Sequence, residues 1–131
     1  MTIQARHPRL LKLTDPPIIL GHRCTRCRRV AFPPDPYGCE KCGSSWENLE
    51  GLDLEARGTV RAIATVHRHH HPSPPTPFTV AVIDLVGGPV IKAIVAGVEV
   101  GVGVAVEGVL VEDVADADGN IMVDLQFQVV T

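Results

Sequence analysis

The sequence predicts a mostly β chain: a short N-terminal helical segment, a small cysteine-bearing module and a five-stranded closed barrel. Three observations carry that prediction. Hydrophobic residues make up 45% of the 131 residues and aromatics only 4%. Val, Ala, Leu and Ile must therefore build the core, and β-branched side chains fit a pleated surface. From Glu55 onward, alternating or apolar runs are cut by turns rich in Gly, Pro and Asp. Between residues 21 and 45, Cys, Gly and Pro are so dense that the segment cannot form a core of its own and needs a staple.

The elements follow in order. Residues 1–20 are polar and broken by Asp15-Pro16-Pro17, which leaves room for one short helix over 9–13. Residues 21–50 form the cysteine module and residues 51–131 the barrel. Its first strand is read from Val60, Ala62, Ala64 and Val66 alternating with Arg61, Ile63, Thr65 and His67. A Pro-rich loop spans 69–77, a second strand 78–86, closed by Gly87-Gly88, and a third 90–96. Residues 97–103 are too Gly-rich for a strand interior and read as a connecting loop. A long fourth strand covers 104–114, and 116–120 is a turn by composition. In the last strand, 121–130, Ile121, Val123, Leu125, Phe127 and Val129 face one way, and Asp124, Gln126 and Gln128 the other. Five strands in one sheet suit a small closed barrel, because closure removes exposed edges. An OB-fold is the first such solution, an SH3-like barrel the second.

Charge is unevenly spread. Residues 1–42 hold eight Lys/Arg against three acids, net +5, and residues 43–131 hold four against twelve, net −8. A nucleic-acid binder presents a basic domain; here the larger part is acidic, which counts against DNA or RNA. No apolar run reaches the roughly 18 residues that span a bilayer, and the first residues lack the apolar core of a secretory signal. The sequence thus predicts a cytoplasmic chain with reduced thiols and no membrane association.

Cys24-Thr-Arg-Cys27 and Cys39-Glu-Lys-Cys42 are two C-x-x-C knuckles separated by eleven residues. In a reducing compartment that spacing reads as a tetrahedral thiolate site for zinc, with both sulfurs of each knuckle turned to one ion. Gly43 can take φ > 0 there and free a backbone N–H toward a sulfur. Four thiolates close the shell, so the metal is structural. Two disulfides and a rubredoxin-type iron are the alternatives. Arg23, Arg26, Arg28 and Arg29 crowd the site. They offset the double negative charge of a zinc tetrathiolate, or they meet an anion such as a coenzyme A phosphate or an acidic partner surface. His67-Arg68-His69-His70-His71-Pro72 resembles a metal tract, yet with no Cys or carboxylate nearby it reads as an exposed or interface loop. Trp46 and Phe32 are expected to pack the module against the barrel. No nucleophile elbow or phosphate-cradling loop is present. Alone, the chain is predicted not to be an enzyme.

The order of these parts carries a resemblance. The two knuckles, Phe32-Pro33-Pro34, Gly58-Thr59-Val60, Val66-His67-Arg68 and the run from Pro77 to Asp84 follow one another. Over about residues 20–130 the chain resembles the thiolase-associated family that joins a rubredoxin-like zinc ribbon to an OB-fold. The resemblance implies a thiolase-like or lipid-transfer-protein-like catalytic partner acting on acyl-CoA thioesters, in a heteromeric complex whose catalytic residues belong to that partner. In that complex the small subunit stabilises the enzyme and helps frame its CoA or acyl channel. Contacts with CoA or the partner are expected from Arg23, Arg26, Arg28, Arg29, His67, Arg68 and His69. A single-strand-binding OB module and a stand-alone acyl-CoA-binding protein are the other readings.

Overall fold

A computed structural model describes residues 3–34, 36–70, 75–96, 100–112 and 117–130. Its strands are β1 (Ile3–Ala5), β2 (Leu11–Lys12), β3 (Ile18–Cys24), β4 (Val30–Ala31), β5 (Leu49–Glu55), β6 (Arg57–Val66), β7 (Phe78–Leu85), β8 (Val90–Ala96), β9 (Ala105–Glu112) and β10 (Ile121–Val129). A 3-10 turn at Trp46–Asn48 is the one helical element among the described residues.

Strands β6 to β10 close into the expected five-stranded barrel. Strand β6 pairs with β7 and β7 with β8, both antiparallel. Strand β10 pairs with β8 in parallel and with β9 antiparallel, and β9 returns to β6. That circuit, with one parallel seam, is an OB-type barrel rather than an SH3-like one. The observed strands lie within one or two residues of the sequence boundaries, except that β6 already begins at Arg57. Residues 113–114, 97–99 and 71–74, where parts of the fourth strand and of two loops were expected, lie outside the described residues. Gly58 is fixed by close approach: a Cβ there would strike the Asp84 carbonyl oxygen and sit 2.7 Å from Ile83 Cγ2.

Residues 9–13 are not helical. Leu11 and Lys12 pair antiparallel with Ile19 and Ile18, forming a hairpin around Asp15-Pro16-Pro17. So short a helix would have to nucleate for almost no propagation, whereas the extended pairing buries Leu11. Strand β1 joins β10 in parallel, Ile3 opposite Ile121.

The ribbon sheet is built on β3, with β5 along one edge and β2 and β4 on the other. Ile19 pairs with Leu54 across β3 and β5. Both belong to one buried cluster with Ala56, Leu85, Ile91, Val106 and Phe127. Phe32 packs against this cluster as expected. Trp46 does not: it is 60% exposed, because the 3-10 turn sits at the metal end of β5, away from the shared core. No described helix is long and apolar enough to cross a membrane.

Candidate metal centre

Strand β3 ends by delivering Cys24, fully buried, to the tip of the ribbon sheet. The two knuckles then repeat one hydrogen-bond pattern. The Cys24 N–H donates to the Arg29 carbonyl (2.9 Å), and the Arg28 N–H donates back to the Cys24 carbonyl (2.8 Å). In the second knuckle the Cys39 N–H donates to the Ser44 carbonyl and the Gly43 N–H to the Cys39 carbonyl, both at 2.9 Å. Gly43 takes φ 76° as anticipated: its own N–H goes to the Cys39 carbonyl, and the backbone N–H that reaches a sulfur is the next one, from Ser44 to Cys42. Arg28 occupies the corresponding place at φ 66°, the one non-glycine residue with positive φ among those described. The Thr25 N–H donates to the Asn48 carbonyl (2.8 Å), tying the first knuckle to the 3-10 turn beyond the second.

These turns gather the four sulfurs. Cys24 Sγ lies 3.6 Å from Cys42 Sγ and Cys27 Sγ 3.5 Å from Cys39 Sγ, and all four fall within 4.8 Å of one another. A disulfide needs about 2.05 Å, and all four cysteines are free, so the disulfide alternative does not hold. Zinc–sulfur bonds of about 2.3 Å arranged tetrahedrally place sulfurs roughly 3.8 Å apart, close to what is found. The donor set also calls for a cation. The Cys27 N–H, helped by the Arg26 N–H and the neighbouring thiols and opposed by burial, holds the Cys24 thiol down at about 6. The Ser44 hydroxyl, 3.0 Å from Cys42 Sγ, together with the Ser44 N–H lowers Cys42. At Cys27 the Arg29 N–H favours the thiolate, but burial and the other three sulfurs outweigh it and push the thiol up to about 11. Thiolates this close ionise together only around a positive ion.

Residues 53–125 match the domain described as "ChsH2, C-terminal OB-fold domain", and residues 13–50 match "ChsH2, rubredoxin-like zinc ribbon domain". The chain belongs to the ChsH2 family. Its cofactor is accordingly zinc, for which the four cysteines are positioned, and a shell of four sulfurs makes it structural. A ChsH2-family fold runs along nearly the whole chain. A solved structure described as an Ltp2-ChsH2(DUF35) aldolase matches with TM-score 0.67 and 24% identity, covering 87% of this chain and 86% of that one. A DUF35-family protein of unknown function from Sulfolobus solfataricus matches with TM-score 0.50 and 20% identity, covering 82% and 76%. A probable enoyl-CoA hydratase alpha subunit from Thermomonospora curvata is 35% identical over 69 residues, 50% of this chain. The match spans about a fifth (20%) of that relative's length.

The other residues singled out from sequence divide. Arg23 bridges Glu50 at 2.9 Å and Arg29 reaches Glu40 at 3.6 Å. Arg26 and Arg28 are exposed and make no ion pair among the described residues. His67, Arg68 and His69 are exposed at the end of β6, with the His69 ring edge-on to Phe78 at 5.4 Å and 82°. Among the described residues only the four cysteines converge as metal ligands, so His67, His69 and His70 take no part in such a cluster, and His71 lies outside the described residues. Sequence reasoning passed over His22, which is buried on β3 beside the knuckles. It lines a groove of about 510 Å³ with Trp46, Pro34 and Leu49. Alternation counted from Ile19 would have placed His22 outside, because the buried side of β3 changes between Gly21 and His22; the available signal was its place two residues before the ligand Cys24, on the same face of the strand.

Proposed function

We propose that this chain is a non-catalytic accessory subunit of a heteromeric complex in which a thiolase-fold enzyme processes acyl-CoA thioesters by thiolysis, acyl transfer or retro-aldol cleavage. The observation that carries this reading is membership of the ChsH2 family through both domains, in the order ribbon then barrel. The likeness in fold to a chain of the Ltp2-ChsH2(DUF35) aldolase supports a catalytic partner of that type. The relative named for enoyl-CoA supports acyl-CoA as the chemistry. A closed four-sulfur shell leaves the metal no position for substrate, consistent with a mechanical role.

In this reading Cys24, Cys27, Cys39 and Cys42 hold the zinc, which fixes the ribbon tip. Arg26 and Arg28, exposed and uncommitted, are the arginines best placed to meet CoA phosphates or an acidic partner surface as bidentate donors. Arg23 and Arg29 would first have to leave Glu50 and Glu40. His67, Arg68 and His69 offer a second contact. The free thiols fit a cytoplasmic setting. Single-strand binding on the barrel is disfavoured: of its two phenylalanines, Phe127 is fully buried and Phe78 is half-buried against His69, so neither offers an open face for a base.

Co-expression with a thiolase-fold protein encoded beside this chain tests the reading. The expected result is a stable heteromer in which removal of this chain lowers thioester turnover at least tenfold. Full activity of the partner alone, or turnover by this chain alone, overturns it.

A further inference from the structure

The parallel seam of the barrel is very short. Strand β10 meets β8 at Phe127 with Val95 and at Gln128 with Ala96, and there the pairing stops. The flanking ladders fix what the next step would be. The Leu85 N–H donates to the Pro89 carbonyl, so in the β7–β8 register Ile91 and Ala93 bond to β7, and Lys92 turns its N–H and carbonyl to the seam. The Val130 N–H donates to the Ala105 carbonyl, so Asp124 and Gln126 bond to β9 and Leu125 faces the seam. A continued parallel ladder would join the Leu125 N–H to the Lys92 carbonyl. Instead that N–H is held by the neighbouring carboxylate, Asp124 Oδ1, at 2.9 Å. The strands have parted, and among the described residues no strand covers Lys92 on that side.

The wedge between them is a cavity of about 220 Å³ with a mostly apolar lining. Leu11, Ile19 and Phe32 close it from the ribbon side, Ile91 and Phe127 from the barrel. His7, Lys92 and Asp124 are its polar residues, and they are not equivalent. The Asp124 carboxylate is already committed, to the Leu125 N–H and, at 3.7 Å, to Arg6. His7 and Lys92 are exposed, and neither side chain makes an ion pair among the described residues. Free donors therefore stand over an apolar floor, while the one acid is neutralised in place. A cationic ligand would meet the Lys92 ammonium, and a neutral hydrocarbon would leave these donors unused. We infer that the wedge binds a small apolar monocarboxylate. Its hydrocarbon body fills the cavity, and its carboxylate sits at the mouth, accepting from the Lys92 ammonium, the Lys92 N–H and the His7 ring. A cavity of about 150 Å³ holds a benzene-sized ligand, so 220 Å³ suits about seven to nine carbons.

This inference does not depend on the proposed function. Titration of the zinc-loaded chain with octanoate, followed by calorimetry and amide chemical shifts, tests it. Expected is one-to-one saturation at about 0.1–1 mM, ordinary for a ligand of this size, with shifts centred on Leu11, Ala93 and Leu125. Octanol should bind at least fivefold more weakly, and acetate should not saturate. Octanoyl-CoA, whose carboxyl group is masked as a thioester, should bind no better than octanol. Lys92→Glu, at an exposed site, should weaken octanoate at least fivefold and leave octanol unchanged. Ala93→Leu fills the wedge and should remove both; if that variant loses its barrel fold by circular dichroism, Lys92→Glu still decides. Absence of saturation by octanoate up to about 5 mM overturns the inference. So does octanol binding as tightly as octanoate, or an octanoate affinity unchanged in Lys92→Glu. Saturation by octanoyl-CoA with octanoate inert also overturns it, and would make the wedge part of a thioester channel instead.

Discussion

Arg28 is where this chain pays a local conformational cost. Its φ of 66° matches that of Gly43 in the other knuckle, and its N–H makes the same bond to the first cysteine of its turn. A left-handed conformation costs a residue with a Cβ about 1–2 kcal/mol, and glycine returns about 0.5–1 kcal/mol of that through greater freedom when unfolded. Arg28→Gly is therefore expected to stabilise the zinc-loaded chain by about 0.5–1 kcal/mol, read from the midpoint of urea unfolding at fixed zinc. The spacing of the cysteines made the four-sulfur site legible because ligand geometry constrains sequence locally. The arginines were not resolved in the same way. Whether Arg23 meets Glu50, or Arg29 meets Glu40, depends on how β5 and the second knuckle fold back, and no spacing rule encodes that.

At the scale of elements, β3 and β5 serve two masters. Their metal-distal half contains the Ile19–Leu54 pair and is held by the barrel core, while their other half ends at Cys24 opposite Leu49. Chelation should therefore melt the tip and spare the rest. By hydrogen exchange, the amides of Cys24, Arg28, Cys39 and Gly43 are expected to lose protection after zinc removal, with those of Ile83 and Val95 unchanged. Acid should act in the same direction. The metal-free Cys24 thiol loses its proton above about pH 6, but Cys27 keeps its own to about 11. Zinc must displace the Cys27 proton throughout the neutral range, so affinity falls at least tenfold for each pH unit lost between 9 and 6. Competition with a chromophoric chelator across that range measures the slope. Among the elements, the barrel strands were readable because each alternates or runs apolar over seven or more residues. The N-terminal strands were not: β2 has two residues and β1 three, and their identity rests on partners at Ile18–Ile19 and at Ile121–Val123 that sequence periodicity does not reveal.

Over the whole molecule, ribbon and barrel share one core. Leu54 lies on the ribbon's β5, yet it is buried in the cluster that holds Phe127 and Ile91 of the barrel. Leu54→Ala is expected to cost about 2–5 kcal/mol and to lower ribbon and barrel together. The single Trp46 reports on the ribbon and far-UV circular dichroism on the barrel, and the two unfolding curves should coincide. The link between the modules is one buried alanine: Ala56 separates β5 from β6, and its carbonyl accepts the Gly108 N–H at 2.6 Å. The waist therefore has no slack. Torque applied at the zinc tip is transmitted through a stiff shaft to the far rim of the barrel, so whatever grips one end of this chain also aims the other.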